Sequence, residues 1–405
     1  MKKAISFLLA AVLGISMLAG CGAKEADPVA VNVGAMKGPT AMGMVKMMED
    51  DESGATAPND YNFSLLASPD EVTPMLVKGE LDIAALPANL AAVLYQNMEQ
   101  NLSVLAINTL GVIYIVEDGD TVQSVADLKG KTIYASGKGS TPEYGLNYIL
   151  EENGLNPETD VNIEWKTEHA ECVAALAANP SAIAMLPQPF VTTAQMQNEN
   201  LRIALDLSAE WDALQEGKEN PSGMITGVVV VRNDFLEENP EAVELFMEQY
   251  ASSVDYVNAN TAEAAALIEK YDILKAAVAE KALPYCNIVC ITGDEMQDKL
   301  GGYLEELYAQ NPKAVGGALP EDGFYENMGD SLLVGNLANR EHVSGTGDTF
   351  GISCCCRYAS FDPFARSILL GEHRFFGMQN FRRVCVGGSA GNIDSSGSGK
   401  VYQIS

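Results

Sequence analysis

From Val29 to Tyr325 the chain alternates short β-forming runs with helical stretches, and no other feature limits its possible folds so tightly. Val29–Val33 reads as a strand, Gly34–Thr40 as a loop, and the residues through Met48 as a helix. Tyr61–Leu66 is a second strand. Ser68-Pro69-Asp70-Glu71 then opens a helix, with proline where an amide goes unbonded anyway and acid beside the positive helix end. Leu81–Leu86 is a third strand, running into Pro87-Ala88-Asn89, where another helix starts. Strands separated by helices of this length pair side by side through crossover connections, which predicts doubly wound, mostly parallel sheets. Met42, Met44, Met47 and Met48 fall on the first helix as core filling rather than as a cofactor box.

Two further β-rich stretches, Leu102–Glu117 and Ile225–Arg232, bracket a complete α/β unit. It holds Asp127–Tyr134, a helix after Pro142, a strand over Asn162–Trp165, a helix around Cys172–Ala178, and strands over Ala182–Leu186 and Leu201–Leu205. After Arg232 the pattern is mostly helical. The simplest path has one lobe, residues 29–112 and 228–325, interrupted by a second, residues 113–227. The expected fold class is α/β: two lobes, each a mostly parallel sheet flanked by helices, joined by two hinge strands with a cleft between them.

The N-terminus sets the compartment. Met1-Lys2-Lys3 is a short positive segment, and Ala4–Leu18 is a mostly apolar run too short to span a bilayer comfortably. It ends in Leu18-Ala19-Gly20-Cys21, which resembles the lipobox of bacterial lipoproteins. That resemblance implies a signal peptide over 1–20, lipid on Cys21, a tether over 21–28, and residence at the cell membrane on its extracytoplasmic face. Outside the cell disulfides are permitted, but Cys172, Cys286 and Cys290 make no framework. Cys286 and Cys290 are either a pair or buried free thiols.

Charge excludes one large class of partner. With 25 Lys+Arg against 55 Asp+Glu the net charge is −30, and no basic surface for a phosphate backbone can be assembled. Three histidines leave little material for a metal site or a histidine-based catalytic centre, so neither a metal nor a cofactor is expected. Residues 340–405 differ from the rest: they carry six of the eight arginines, four of the eight cysteines and two of the three histidines. This atypical tail is expected to lie outside the fold; the rival reading is a genuine cysteine-bearing appendage.

Four stretches together resemble the type II periplasmic binding proteins of ABC importers, in their nitrate/sulfonate/taurine and thiamine-precursor branch. These are Met36-Lys37-Gly38-Pro39-Thr40, Lys78–Pro87 with its Gly79 and Asp82, Asp127-Leu128-Lys129-Gly130-Lys131, and Ala184-Met185-Leu186-Pro187-Gln188-Pro189-Phe190. The resemblance runs to about Tyr325. It implies a monomeric substrate-binding lipoprotein that captures a small organic or anionic nutrient by lobe closure. The cargo then passes to a permease transmembrane subunit served by a cytoplasmic ATPase. In open α/β sheets ligands bind beyond the carboxyl ends of strands. The candidate ligand-binding residues are therefore Lys37, Gly38, Pro39 and Thr40, then Ala88, Asn89 and Leu90 in the first lobe. In the second they are Gly139, Ser140 and Thr141, then Gln188 and Pro189, with Thr141 read as a helix N-cap ahead of Pro142. Gly137-Lys138-Gly139-Ser140-Thr141 lacks the Walker A spacing, which excludes a nucleotide-hydrolysing loop. The two arginines of the body, Arg202 and Arg232, leave anion and neutral heteroaromatic ligands both open.

An enzyme reading competes. An iron-dependent thiamine-pyrimidine synthase-like enzyme shares this fold and carries a Cys-Cys-Cys-Phe-Cys run. Cys354-Cys355-Cys356-Arg357-Tyr358 departs from that run at its last two positions and lies in the tail. No catalytic residue is expected.

Overall fold

Strand β1 (Val29–Met36) lies between two parallel neighbours, β2 (Asn59–Leu66) along its whole length and β3 (Ile83–Pro87). The crossovers are made by helices α1 (Pro39–Met42), α2 (Val45–Glu52) and α3 (Pro69–Lys78). The computed structural model describes residues 28–179, 181–218 and 221–327. The expected signal peptide, Cys21, most of the tether, and the 340–405 tail with Cys354-Cys355-Cys356 lie outside the described residues.

From β3 the chain passes through α4 (Ala88–Asn97) to β4 (Ser103–Leu110), and Gly111-Val112 then carry it out of the first sheet. The second sheet begins with β5 (Ile113–Asp118). It continues through β6 (Thr132–Ser136), α5 (Thr141–Glu152), β7 (Asn162–Lys166), α6 (His169–Ala178), β8 (Ile183–Pro187), α7 (Phe190–Gln197) and β9 (Leu201–Asp206). Helix α8 (Leu207–Gln215) and residues 216–224 lead back to β10 (Ile225–Val231) in the first sheet. There follow α9 (Asn233–Glu238), α10 (Pro240–Ala259), α11 (Thr261–Lys270), α12 (Ala276–Ala282), β11 (Ile288–Ile291) and α13 (Gly293–Gln310).

The six-stranded sheet has the order β11-β4-β10-β3-β1-β2, and the five-stranded sheet β7-β6-β8-β5-β9. Most strands in each run one way, as the crossover helices require. The exceptions that matter are β10, antiparallel to β3 and β4, and β5, antiparallel to β8 and β9. Each is the first strand after a crossing between lobes. The first crossing leaves at the end of β4 and arrives where Ile113 stands opposite Pro187, the end of β8. The second leaves at the end of β9 and arrives where Gly227 stands opposite Pro87, the end of β3. Both crossings thus join carboxyl edge to carboxyl edge, so the strand–helix loops of the two sheets lie toward one another. A strand that enters from the carboxyl edge has to run backwards.

The first crossing is extended chain, as the hinge-strand expectation has it. The return differs: Ile225–Val231 lies wholly in the first sheet, and the chain reaches it through α8 and 216–224. Burial of β10 follows its central place. Val228 and Val230 enter an apolar cluster shared by both lobes, and Val229 and Val231 enter one confined to the first lobe. Alternate side chains point to opposite faces, so an unbroken valine run marks a strand covered on both. Met42, Met44 and Met47 are buried in the first-lobe cluster with Phe246 and Tyr250. Cys172, Cys286 and Cys290 are free thiols. Among the described residues no helix is long and apolar enough to cross a membrane.

Candidate ligand-binding site

On the first lobe, the loop after β1 carries Lys37, Gly38, Pro39 and Thr40. Gly38 caps α1 with φ of 123°, a conformation that favours glycine, and a Cβ there would meet open space. Thr40 is buried, and its carbonyl accepts from Asn108 Nδ2 at 3.2 Å. Gly227 makes this approach possible, since a Cβ at that position would lie 2.5 Å from Asn108 Oδ1 and 3.2 Å from Thr40. Lys37 is already committed. Its Nζ lies 3.0 Å from the carboxylate of Asp272, whose pKa it holds below the usual range, and it also donates to the Asp272 carbonyl. In the loop after β3, Ala88 is fully buried in the apolar cluster shared by both lobes, while Asn89 and Leu90 are half-buried at the start of α4.

On the second lobe, the helix cap sits one residue earlier than expected. Ser140 is the N-cap of α5, with Thr141 and Pro142 as its first two helical residues. The Ser140 hydroxyl is turned back to the Gly137 carbonyl at 2.7 Å, and the Gly139 amide donates to Glu143 Oε2 at 2.6 Å. Gly139, with φ of 77°, faces open space. Gln188 is buried, and Pro189 follows it through a cis bond. The Gln188 backbone amide donates to the carbonyl of Val112 in the first crossing at 2.9 Å, and its Oε1 accepts from Thr192, but among the described residues its Nε2 has no partner. Buried hydroxyls of Thr109, Ser208 and Thr226, all beside the two crossings, also lack a partner among the described residues. Groups left so are costly unless something bonds them, and every one of them is uncharged.

The loop after β7 was not among the sequence candidates, yet it lines a cavity of about 340 Å³ at the carboxyl ends of β6, β7 and β8. Ser136, Gly137, Thr167, Glu168, His169 and Phe190 surround it. His169 Nδ1 meets Ser136 Oγ at 2.5 Å, and its ring lies 4.9 Å from the Phe190 ring at 48°. Burial pushes the His169 pKa down, so the ring is uncharged at neutral pH. Cys172 is buried, and burial pushes its thiol pKa up. The signal that would have found this loop was positional: it follows a strand of the same sheet as the chosen loops. Among the described residues no cluster of histidine, cysteine and carboxylate side chains is placed to hold a metal ion.

Residues 56–282 match the family described as ABC transporter, phosphonate, periplasmic substrate-binding protein. No curated protein sequence matches the chain. Among solved structures, one of an ABC transporter from Parabacteroides distasonis is 23% identical, with a TM-score of 0.61, covering 74% of this chain and all of that one. The periplasmic aliphatic sulphonate binding protein SsuA from Escherichia coli is 17% identical, with a TM-score of 0.58, over 74% of this chain and 92% of its own. The alkanesulfonate-binding protein SsuA from Xanthomonas axonopodis, bound to MOPS, is 18% identical with a TM-score of 0.52 over 73% and 96%. At these identities the likeness is one of fold.

Proposed function

We propose a receptor role from one premise: the chain belongs to the phosphonate-type periplasmic substrate-binding family of ABC transporters. It works outside the cytoplasm, taking up a small solute for a permease. The observation that carries the site assignment is the facing of the two carboxyl edges at residues 108–112, where loops from both sheets converge. A ligand seated there touches Thr40 and Asn89 from one side and Gln188, Ser140 and His169 from the other. Contacts from both lobes are complete only when the lobes are together, so ligand shifts an open–closed equilibrium by its differential affinity. We assign the lipid anchor to Cys21, a monomeric state to the receptor, and no part in binding to residues 340–405.

The test begins with the full-length lipoprotein purified in detergent. Small molecules released from it by denaturation are identified by mass spectrometry and returned to stripped protein. Saturable binding with a smaller radius of gyration by X-ray scattering is expected. A particle of unchanged dimensions that binds nothing from the extract would overturn the receptor reading. Cys21→Ser is expected to move the protein from the membrane to the soluble fraction.

A further inference from the structure

We propose that the second lobe's half of the cleft receives an uncharged or positively charged planar ring, held by Phe190 and His169, and turns oxyanions away. The inference rests on the receptor reading above and names its ligand class.

The first argument concerns backbone amides. An oxyanion in an α/β cleft needs the free N–H groups of strand–helix loops and helix starts. Here the chain supplies its own anions to three of these loops. The Ala67 amide donates to Glu71 Oε2 at 2.8 Å, and the Gly139 amide to Glu143 Oε2 at 2.6 Å. The Thr167 and Glu168 amides donate to Glu171 Oε2 at 2.8 and 3.2 Å. In every case the carboxylate stands four residues beyond the first amide. An incoming phosphonate, sulfonate or nitrate would find those amides taken and a negative charge in place.

The second argument concerns cations. Arg202, at the start of β9, and Arg232, just past the end of β10, both lie at the amino edges of their sheets, away from the cleft. Arg202 is bound by Glu117 at 2.5 Å and Arg232 by Asp234 at 2.5 Å. Lys37 is held by Asp272. Lys138 lines a separate hollow of about 460 Å³ together with Glu143, Glu151 and Glu158. The charged side chain that lines the 340 Å³ cavity is Glu168, an anion. Lys166, which ends β7 just before Thr167, is paired with Glu164 at 3.2 Å and lies over the Tyr134 ring, so among the described residues no unpaired cation lines the cavity to offset an oxyanion.

What the cavity does offer fits a ring. Phe190 and His169 give two apolar faces, and Ser136 fixes the imidazole through Nδ1. Among the described residues His169 Nε2 has no partner, and in either tautomer it presents one hydrogen-bonding function. The size suits one or two fused rings, at the lower end of ordinary ligand pockets. A positive ring would gain from Glu168 besides.

Calorimetric titration of the stripped full-length chain at neutral pH decides it. One probe set is methylphosphonate, ethanesulfonate and nitrate; the other is cytosine, adenine, nicotinamide and the N-methylnicotinamide cation. Binding of at least one ring probe is expected, weakened about tenfold by Phe190→Leu and also by His169→Gln, with no heat from the oxyanions. Unchanged melting of both variants shows that they fold. Saturable oxyanion binding by the unaltered protein overturns the ligand class but leaves the receptor reading standing. Ring binding indifferent to both substitutions overturns the site, and binding of neither probe set overturns the inference outright. The receptor reading itself stands or falls on the extract experiment, which assumes no ligand class.

Discussion

The two lobes meet along two flanks of the cleft, and the flanks are built in opposite ways. On one, α13 of the first lobe packs on α5 and α8 of the second. Trp211 is buried there with its ring 4.2 Å from Tyr148 and 5.6 Å from Tyr303, and its indole N–H donates to Ser222 at 3.1 Å. Gly302 lets Ser222 come close, since a Cβ on it would stand 2.7 Å from the serine's. Gln310 and Asn311 close this flank by donating to the Tyr144 carbonyl and hydroxyl, each at 3.0 Å. On the other flank α7 and α12 border a groove of about 490 Å³. Met196 and Tyr285, 45% and 47% exposed, stand on its two sides, and Glu199, Glu280 and Lys281 also line it.

The difference shows where a hinge can turn. Separating the lobes at α13 would bring three aromatic rings into water, at roughly 1.5–3 kcal/mol for each large apolar side chain. Parting α7 from α12 would break the hydrogen bond that the Tyr114 hydroxyl donates to the Tyr285 carbonyl at 2.9 Å and would uncover the rest of Met196 and Tyr285, which are about half exposed already. Least costly is a rotation that keeps the aromatic flank packed and swings open at the groove.

The sharpest way to break this contrast is Trp211→Ala. Loss of a buried indole between two tyrosines is expected to cost about 3–5 kcal/mol in urea denaturation. A loss below roughly 1 kcal/mol would mean that the aromatic flank holds nothing together. Next comes Gly111→Ala at the first crossing. Its Cβ would fall 2.2 Å from Ser208 Oγ and 2.9 Å from Met224, where the return crossing passes. A cost of about 1–3 kcal/mol is expected, together with a displaced open–closed balance in scattering.

Acid gives a smaller effect, on neither flank. Burial lowers the His169 pKa from 6.5, so on acidification the unfolded chain takes up its proton first. The histidine's contribution is complete above the unfolded value and is lost as pH falls from there through the folded one. His169→Gln should flatten that part of the stability–pH curve, and an unaltered slope would mean that the ring is not buried. Smallest of all, the double change Met196→Ser and Tyr285→Ser should stay within about 0.5 kcal/mol per site, because both side chains are already about half exposed and the Tyr285 carbonyl that accepts from Tyr114 is kept. A large loss there would place a second packed interface on the open flank.

Much of the lobe plan was legible in the sequence because strands and helices answer to their neighbours along the chain. The β-rich stretch Ile225–Arg232 is a strand over Ile225–Val231, and proline with acid marks the helix start after Ser68. The site was less legible. Thr141 has the residue type and the place before Pro142 that suit a cap, but Ser140 holds that position, and its hydroxyl serves the Gly137 turn. Lys37 has the right place for a ligand contact, yet a carboxylate 235 residues further on engages it. His169 carried no periodic or spacing signal at all.

By itself the sequence determined the order of strands and helices, the insertion of one lobe into the other, and the acid four residues into several strand–helix turns. These depend on backbone preference and side-chain alternation over a few residues. Tertiary structure alone decided which loops share a cleft, that β5 and β10 run backwards, and that Ser136 meets His169. Charge neutralisation and burial are settled between residues distant in the chain, and no local pattern contains them.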